Sequence, residues 1–249
     1  MYTLPSPVPS PPSPTLELTL IPEFALRRDG EPVEVTPSCR RLLALLAIQP
    51  RPVGRAYVSG TLWGDADEQH ASGCLRSTLW RLHRLGLISP SATQLWLDPM
   101  VGVDLRRVIE AAVRVLRAAP SDEIALAATH ELIDAGDDVL TGWYDDWVVV
   151  ERERFRQLRL HAMDALGERL IDAGRWYDAL QVALVVTGAE PLRESAQRLL
   201  IRVHLAQGNI AEAIRQYRGF AELLRRELNT VPSAGIRALL VPYAPRATA

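Results

Sequence analysis

At 249 residues and 48% apolar, the chain is long enough for one large domain or two ordinary ones, and global disorder is excluded. All 28 basic residues are arginine, and 30 acidic residues bring the net charge to −2, which excludes a protein that coats nucleic acid through bulk charge. Residues 1–98 are themselves balanced, with nine Arg against nine acidic side chains, so any affinity for DNA in that half must come from local placement.

Residues 1–14, MYTLPSPVPSPPSP, lack the basic start and apolar centre of a signal peptide and read as a disordered Pro/Ser-rich tail. No apolar run approaches the ~18 residues of a membrane span. Cys39 and Cys74, the only cysteines, both sit inside apolar helical patterns. They read as buried thiols in a reducing compartment, and the expectation is a cytoplasmic protein.

After the tail, residues 15–21 (TLELTLI) alternate like a strand, 24–27 can form a second, and Arg28, Asp29 and Gly30 make a turn. A third short strand is expected over 33–35. Thr36 is a plausible N-cap with Pro37 at the first helical position, opening a helix over 38–48 that Gln49 and Pro50 close. Residues 51–54 read as a connection, 56–63 as a short helix and 64–68 as an acidic loop. A helix then covers 69–85. Residues 86–89 and 94–97 form a hairpin around the Pro90–Thr93 turn, and 101–103 is a further strand.

The 69–85 helix is the informative one. At about 100° per residue, Ala71, Leu75, Thr78, Leu79, Leu82 and Leu85 gather on one side. Gly73, Ser77, Trp80 and Arg84 fall opposite, with Arg76 and Arg81 at the edges, and no acid occurs from Gln69 to Leu97. Guanidinium forks suit phosphate oxygens and the acceptor edge of guanine. Arg76, Ser77, Trp80, Arg81 and Arg84 are therefore the candidate DNA-binding residues; the competing reading is a solvated basic face. Strands, three helices and a C-terminal hairpin in that order predict a winged helix-turn-helix over 15–104, with the third helix as reader and the hairpin as wing.

From residue 104 onward only helices are expected: 105–118, 121–135, 146–173, 175–187, 192–207 and 210–228. An internal repeat lies here. AGRWYDAL at 173–180 aligns with QGNIAEAI at 207–214, pairing Gly174 with Gly208, Ala179 with Ala213, Leu180 with Ile214 and Leu166 with Leu200. The offset of 34 is the tetratricopeptide period. The fold class is thus mainly α, a winged helix-turn-helix (α+β) followed by an all-α tetratricopeptide-like domain over 105–243.

Asp134, Asp137, Asp138, Asp145 and Asp146 cluster without calcium-loop spacing, and capping explains them better. The five histidines are scattered, and no phosphate-cradling loop or nucleophile elbow occurs. The chain is expected not to be an enzyme and to need no metal or cofactor.

Five segments carry a resemblance to a known family: PSCRRLLALLAI at 37–48, VSGTLWGDADE at 58–68, LRSTLWRLHR at 75–84, GWYDDWVVVERERFRQLRLH at 142–161 and PLRESAQRLLIR at 191–202. With them the chain, over roughly residues 16–240, resembles the Streptomyces antibiotic regulatory protein family. In that family an OmpR-like winged helix precedes a bacterial transcriptional activation domain. The resemblance implies a transcription activator that binds short direct repeats in promoter DNA and contacts RNA polymerase. A homodimer on DNA fits such repeats. The family's wing often carries Arg or Lys, whereas residues 89–97 carry neither. The rival expectation is a protein-interaction scaffold whose winged helix no longer reads DNA.

Overall fold

The computed structural model describes residues 15–118, 129–136 and 138–243. The expected tail over 1–14, Asp137 and most of the expected helix over 121–135 lie outside them. The chain divides into two compact units, Met1–Asp104 and Leu105–Ala249.

In the first unit, β1 (Leu16–Thr19), β2 (Ala25–Arg28), β3 (Glu31–Pro32) and β7 (Val101–Val103) form one sheet in the order β3-β2-β1-β7. β1 runs antiparallel to β2, Leu18 opposite Leu26, and parallel to β7, Leu16 opposite Val101. The hairpin turn is Asp29 and Gly30, both at positive φ. A two-residue turn fixes the register, so pairing resumes at Glu31, opposite Arg28. That is why the third strand lies at Glu31–Pro32 and not at 33–35: Val33 gives one last N–H to Leu26 (2.8 Å) and the chain then leaves the sheet. The Asp104 carboxylate accepts the N–H groups of Leu20 (2.9 Å) and Ile21 (3.0 Å), tying the end of β1 to a residue more than eighty positions away.

Helix α1 (Pro37–Ile48) is buried nearly all round, as its run of Leu and Ala requires. Thr36 holds the N-cap backbone conformation, but its side chain makes no cap hydrogen bond. α2 (Arg55–Leu62) and α3 (Glu68–His83) follow, then the wing, β5 (Ile88–Pro90) and β6 (Gln94–Leu97). The expected connection over 51–54 contains a strand, β4 (Val53–Gly54), which pairs with β6 in a second sheet of order β4-β6-β5. Two residues carry no alternation for a sequence reading to detect.

The second unit is helical. α4 (Asp104–Arg117) opens on the boundary residue; α5 (Thr129–Asp134), α6 (Asp146–Asp172), α7 (Trp176–Ala189), α8 (Glu194–Ala206), α9 (Ile210–Leu228) and the short α10 (Ala234–Ala238) follow among the described residues. The 34-residue register recurs hydrogen bond by hydrogen bond. Arg175 N–H bonds Leu170 O (2.8 Å) after α6, and Asn209 N–H bonds His204 O (2.8 Å) after α8. Gly174 and Gly208 sit at φ 71° and 77°, each ending the first helix of its hairpin. Ala179 and Ala213, the other matched pair, are fully buried. Successive helices pack as neighbours, so this unit is a stack of helical hairpins.

Candidate nucleic-acid interface

α3 is positioned from both ends. Asp67 caps its start, its carboxylate accepting the His70 N–H at 2.8 Å. The helix therefore begins at Glu68, one residue earlier than expected. It ends at His83, because Leu85 and Gly86 bond back only three residues and Gly86 turns at φ 67°. Arg84 is the C-cap with helical backbone angles, so it continues the exposed face although Leu85 leaves the helix. Beneath, Arg28 donates to Leu85 O (3.1 Å), and Arg41 donates to Leu62 O (2.8 Å) at the end of α2. Cations suit helix C-termini, where carbonyls are left over. In the turn between α2 and α3, a Cβ on Gly64 would stand 2.9 Å from Gly60 O, so only glycine fits there.

The apolar stripe faces inward: Ala71, Leu75, Thr78 and Leu82 are all buried. Thr78 satisfies its hydroxyl on Cys74 O at 2.8 Å. Arg76, Ser77, Trp80, Arg81 and Arg84 are all exposed, Trp80 at 76%. Spacings of four put Arg76, Trp80 and Arg84 in one row and Ser77 and Arg81 in the next. The guanidiniums of Arg76, Arg81 and Arg84 make no hydrogen bond or ion pair among the described residues, whereas those of Arg27, Arg28, Arg40 and Arg41 are all engaged within the unit.

The helix is electrically polarised along its length. Asp65, Asp67 and Glu68 are exposed at its start, and the arginines begin at Arg76. The balanced composition of this half thus separates into an acidic entry and a basic middle and end. Cys39 is buried and free; Cys74 is free but only half-buried, bordering an open groove with His70, Gly73, Arg76 and Ser77.

Arg55 was not legible as part of this surface. It borders the groove between α2 and α3 together with Arg76, and a second groove with Trp80, His83 and Pro90. Its position depends on the β4–β6 pairing, which no local pattern announces.

In the helical unit, Arg152 donates to Val139 O (2.9 Å), Leu140 O (2.9 Å) and Trp143 O (3.2 Å) and pairs with Asp138 (2.7 Å). One guanidinium therefore holds the loop ahead of α6, in which Leu140 takes the left-handed conformation at φ 52°. Asp145 is the N-cap of α6 by backbone conformation, without a side-chain cap bond. Among the described residues no group of His, Cys, Asp or Glu is arranged to hold a metal ion, and no helix is long and apolar enough to cross a membrane.

Residues 103–240 match the family described as the bacterial transcriptional activator domain. The chain is 28% identical over 236 residues to the regulatory protein AfsR of Streptomyces coelicolor. That alignment takes in 85% of this chain but only 22% of AfsR, so the chain spans about a fifth of that relative's length. Among solved structures it is similar to Mycobacterium tuberculosis EmbR in complex with a low-affinity phosphopeptide, with a TM-score of 0.73 at 24% identity, covering 91% of this chain and 64% of that one. At that identity the likeness is one of fold, and the fold is the one expected: a small mixed unit followed by helices. The chain belongs to the bacterial transcriptional activator domain family, within the Streptomyces antibiotic regulatory protein class of transcription regulators.

Proposed function

We propose that the chain activates transcription by binding promoter DNA through the exposed face of α3. The observation that carries this reading is the single face on which Arg76, Ser77, Trp80, Arg81 and Arg84 stand exposed, with its three guanidiniums uncommitted to described residues. An α-helix fits the major groove. The acidic entry of α3 repels phosphate, so the middle and end of the helix approach the duplex. Ser77, Trp80 and Arg84 lie furthest from the buried stripe and read base edges; Arg76 and Arg81 flank them and meet phosphates. The helical unit contacts RNA polymerase, and direct repeats seat two copies side by side as a homodimer on DNA. The protein acts in the cytoplasm as a regulator and not as an enzyme.

Selection of duplexes from a random pool, followed by footprinting on the DNA beside the protein's own gene, tests the reading. Substituting Arg84 by Ala is expected to cost about 1–3 kcal/mol on the selected duplex and to relax one base pair, as for a lost bidentate guanine contact. Substituting Arg76 or Arg81 is expected to weaken all sequences alike. Full affinity after removal of all three arginines refutes α3 as the reader and leaves the scaffold reading in its place.

A further inference from the structure

The wing carries no basic residue of its own, yet a guanidinium is fastened to its turn. Pairing of β4 with β6 sets Gly54 opposite Gln94 and places Arg55, the next residue, at the mouth of the wing. Its backbone N–H donates to Thr93 O at 2.9 Å, and its Nε donates to Ser91 O at 3.2 Å. The turn it grips is closed by Ser91, whose Oγ accepts the N–H groups of Gln94 (2.8 Å) and Thr93 (3.3 Å). With Nε committed, the two terminal nitrogens of the fork have no partner among the described residues. Arg55 also borders both the groove shared with Arg76 and the groove shared with Trp80 and Pro90. It therefore stands between α3 and the wing.

We propose that Arg55 is a phosphate contact, supplying from the start of α2 the cation that the wing lacks. The proposal rests on the reading of α3 as the DNA-binding helix. Nε holds the wing turn through a neutral carbonyl, which leaves the fork's full charge and its four remaining N–H donors for a backbone phosphate beside the wing. A lysine ammonium, being a point charge, cannot hold both partners in that fixed geometry.

The test uses the full chain and two labelled duplexes of about 30 base pairs, one enriched by selection and one scrambled, titrated between about 50 and 200 mM salt. Arg55→Gln is expected to weaken both duplexes and to lower the slope of log K against log salt by about 0.9 on each, so that affinity falls about threefold less across that range. Arg55→Lys is expected to keep the parent slope while binding the enriched duplex less tightly. An unchanged slope in Arg55→Gln overturns the proposal, whatever happens to affinity. An equal fall in the Gln and Lys variants also overturns it, because the effect then follows the wing bond and not the charge. If Arg76, Arg81 and Arg84 prove necessary while Arg55→Gln leaves the slope alone, only the Arg55 contact fails. If the parent chain binds neither duplex, the reading of α3 fails with it.

Discussion

Gly167 lies inside α6 where glycine has no conformational duty, and the structure gives a steric reason for it. A Cβ built there would stand 2.9 Å from Leu199 Cδ1 and 3.1 Å from Cγ, and closer still to Cδ2. Leu199 is 1% exposed on α8, so it has little room to turn away. Gly167→Ala gains about 1 kcal/mol of helix propensity. Overpacking a filled core costs about 1–3 kcal/mol. The expected balance is a loss of about 0–2 kcal/mol, which at roughly 2–4 °C per kcal/mol lowers the thermal midpoint of the full chain by up to about 8 °C. Leu199→Ala alone is expected to cost about 2–5 kcal/mol through the cavity it leaves. In the double variant the new methyl enters that cavity, so the pair should couple favourably by about 1–3 kcal/mol. Calorimetric melts of the parent, both single variants and the double variant close the cycle. A raised midpoint in Gly167→Ala, together with additive effects in the double variant, refutes the crossing of α6 and α8 at these residues.

Asp104→Ala strands the N–H groups of Leu20 and Ile21 and is expected to destabilise the first unit by about 1–3 kcal/mol, read by urea titration with tryptophan fluorescence. Ala213→Leu overfills the contact that Ala213 shares with Ile201 and Phe220 and is expected to cost about 1–3 kcal/mol; an unchanged melt counts against a close helix crossing there. Arg152→Met removes three bonds to loop carbonyls and is expected to cost about 1.5–3 kcal/mol, seen as faster amide exchange over 138–143; unaltered protection refutes the staple.

What was legible in the sequence is what repeats at a fixed period. The 3.6-residue stripe of α3 separated Leu75, Thr78 and Leu82 from Arg76, Trp80 and Arg81, and the structure buries the first set and exposes the second. The bounds of α9 follow from the same periodicity, with Asn229 in the left-handed conformation just past its end. What was not legible depends on partners distant in sequence. β3 and β4 are two residues each and exist only because a neighbouring strand accepts them. Arg55 joins the interface surface through the wing, and Gly167 is required by a leucine on another helix. Helix α8 starts two residues later than its apolar pattern because Arg193 is drawn out to the Asp164 carboxylate at 2.9 Å.

The 34-residue register also shows what each hairpin must meet. Gly167 and Ile201 are repeat equivalents, yet one has no side chain and the other is fully buried. The difference follows from what each must meet. Gly167 yields to Leu199 of the next hairpin, whereas Ile201 packs among Ala213, Phe220, Leu224 and Ile236. Ile236 comes from α10, five residues that pack on α8 and α9 through this cluster. A lone turn of helix that short is not stable by itself. It is fastened by Glu194 at the start of α8, whose carboxylate accepts both the N–H and the hydroxyl of Ser233 at the N-cap of α10. A stack of hairpins needs a terminal element with an apolar inner and a polar outer face. Here one isoleucine supplies an apolar inner contact and one carboxylate holds the helix start, so burial continues past Leu228 to Ile236.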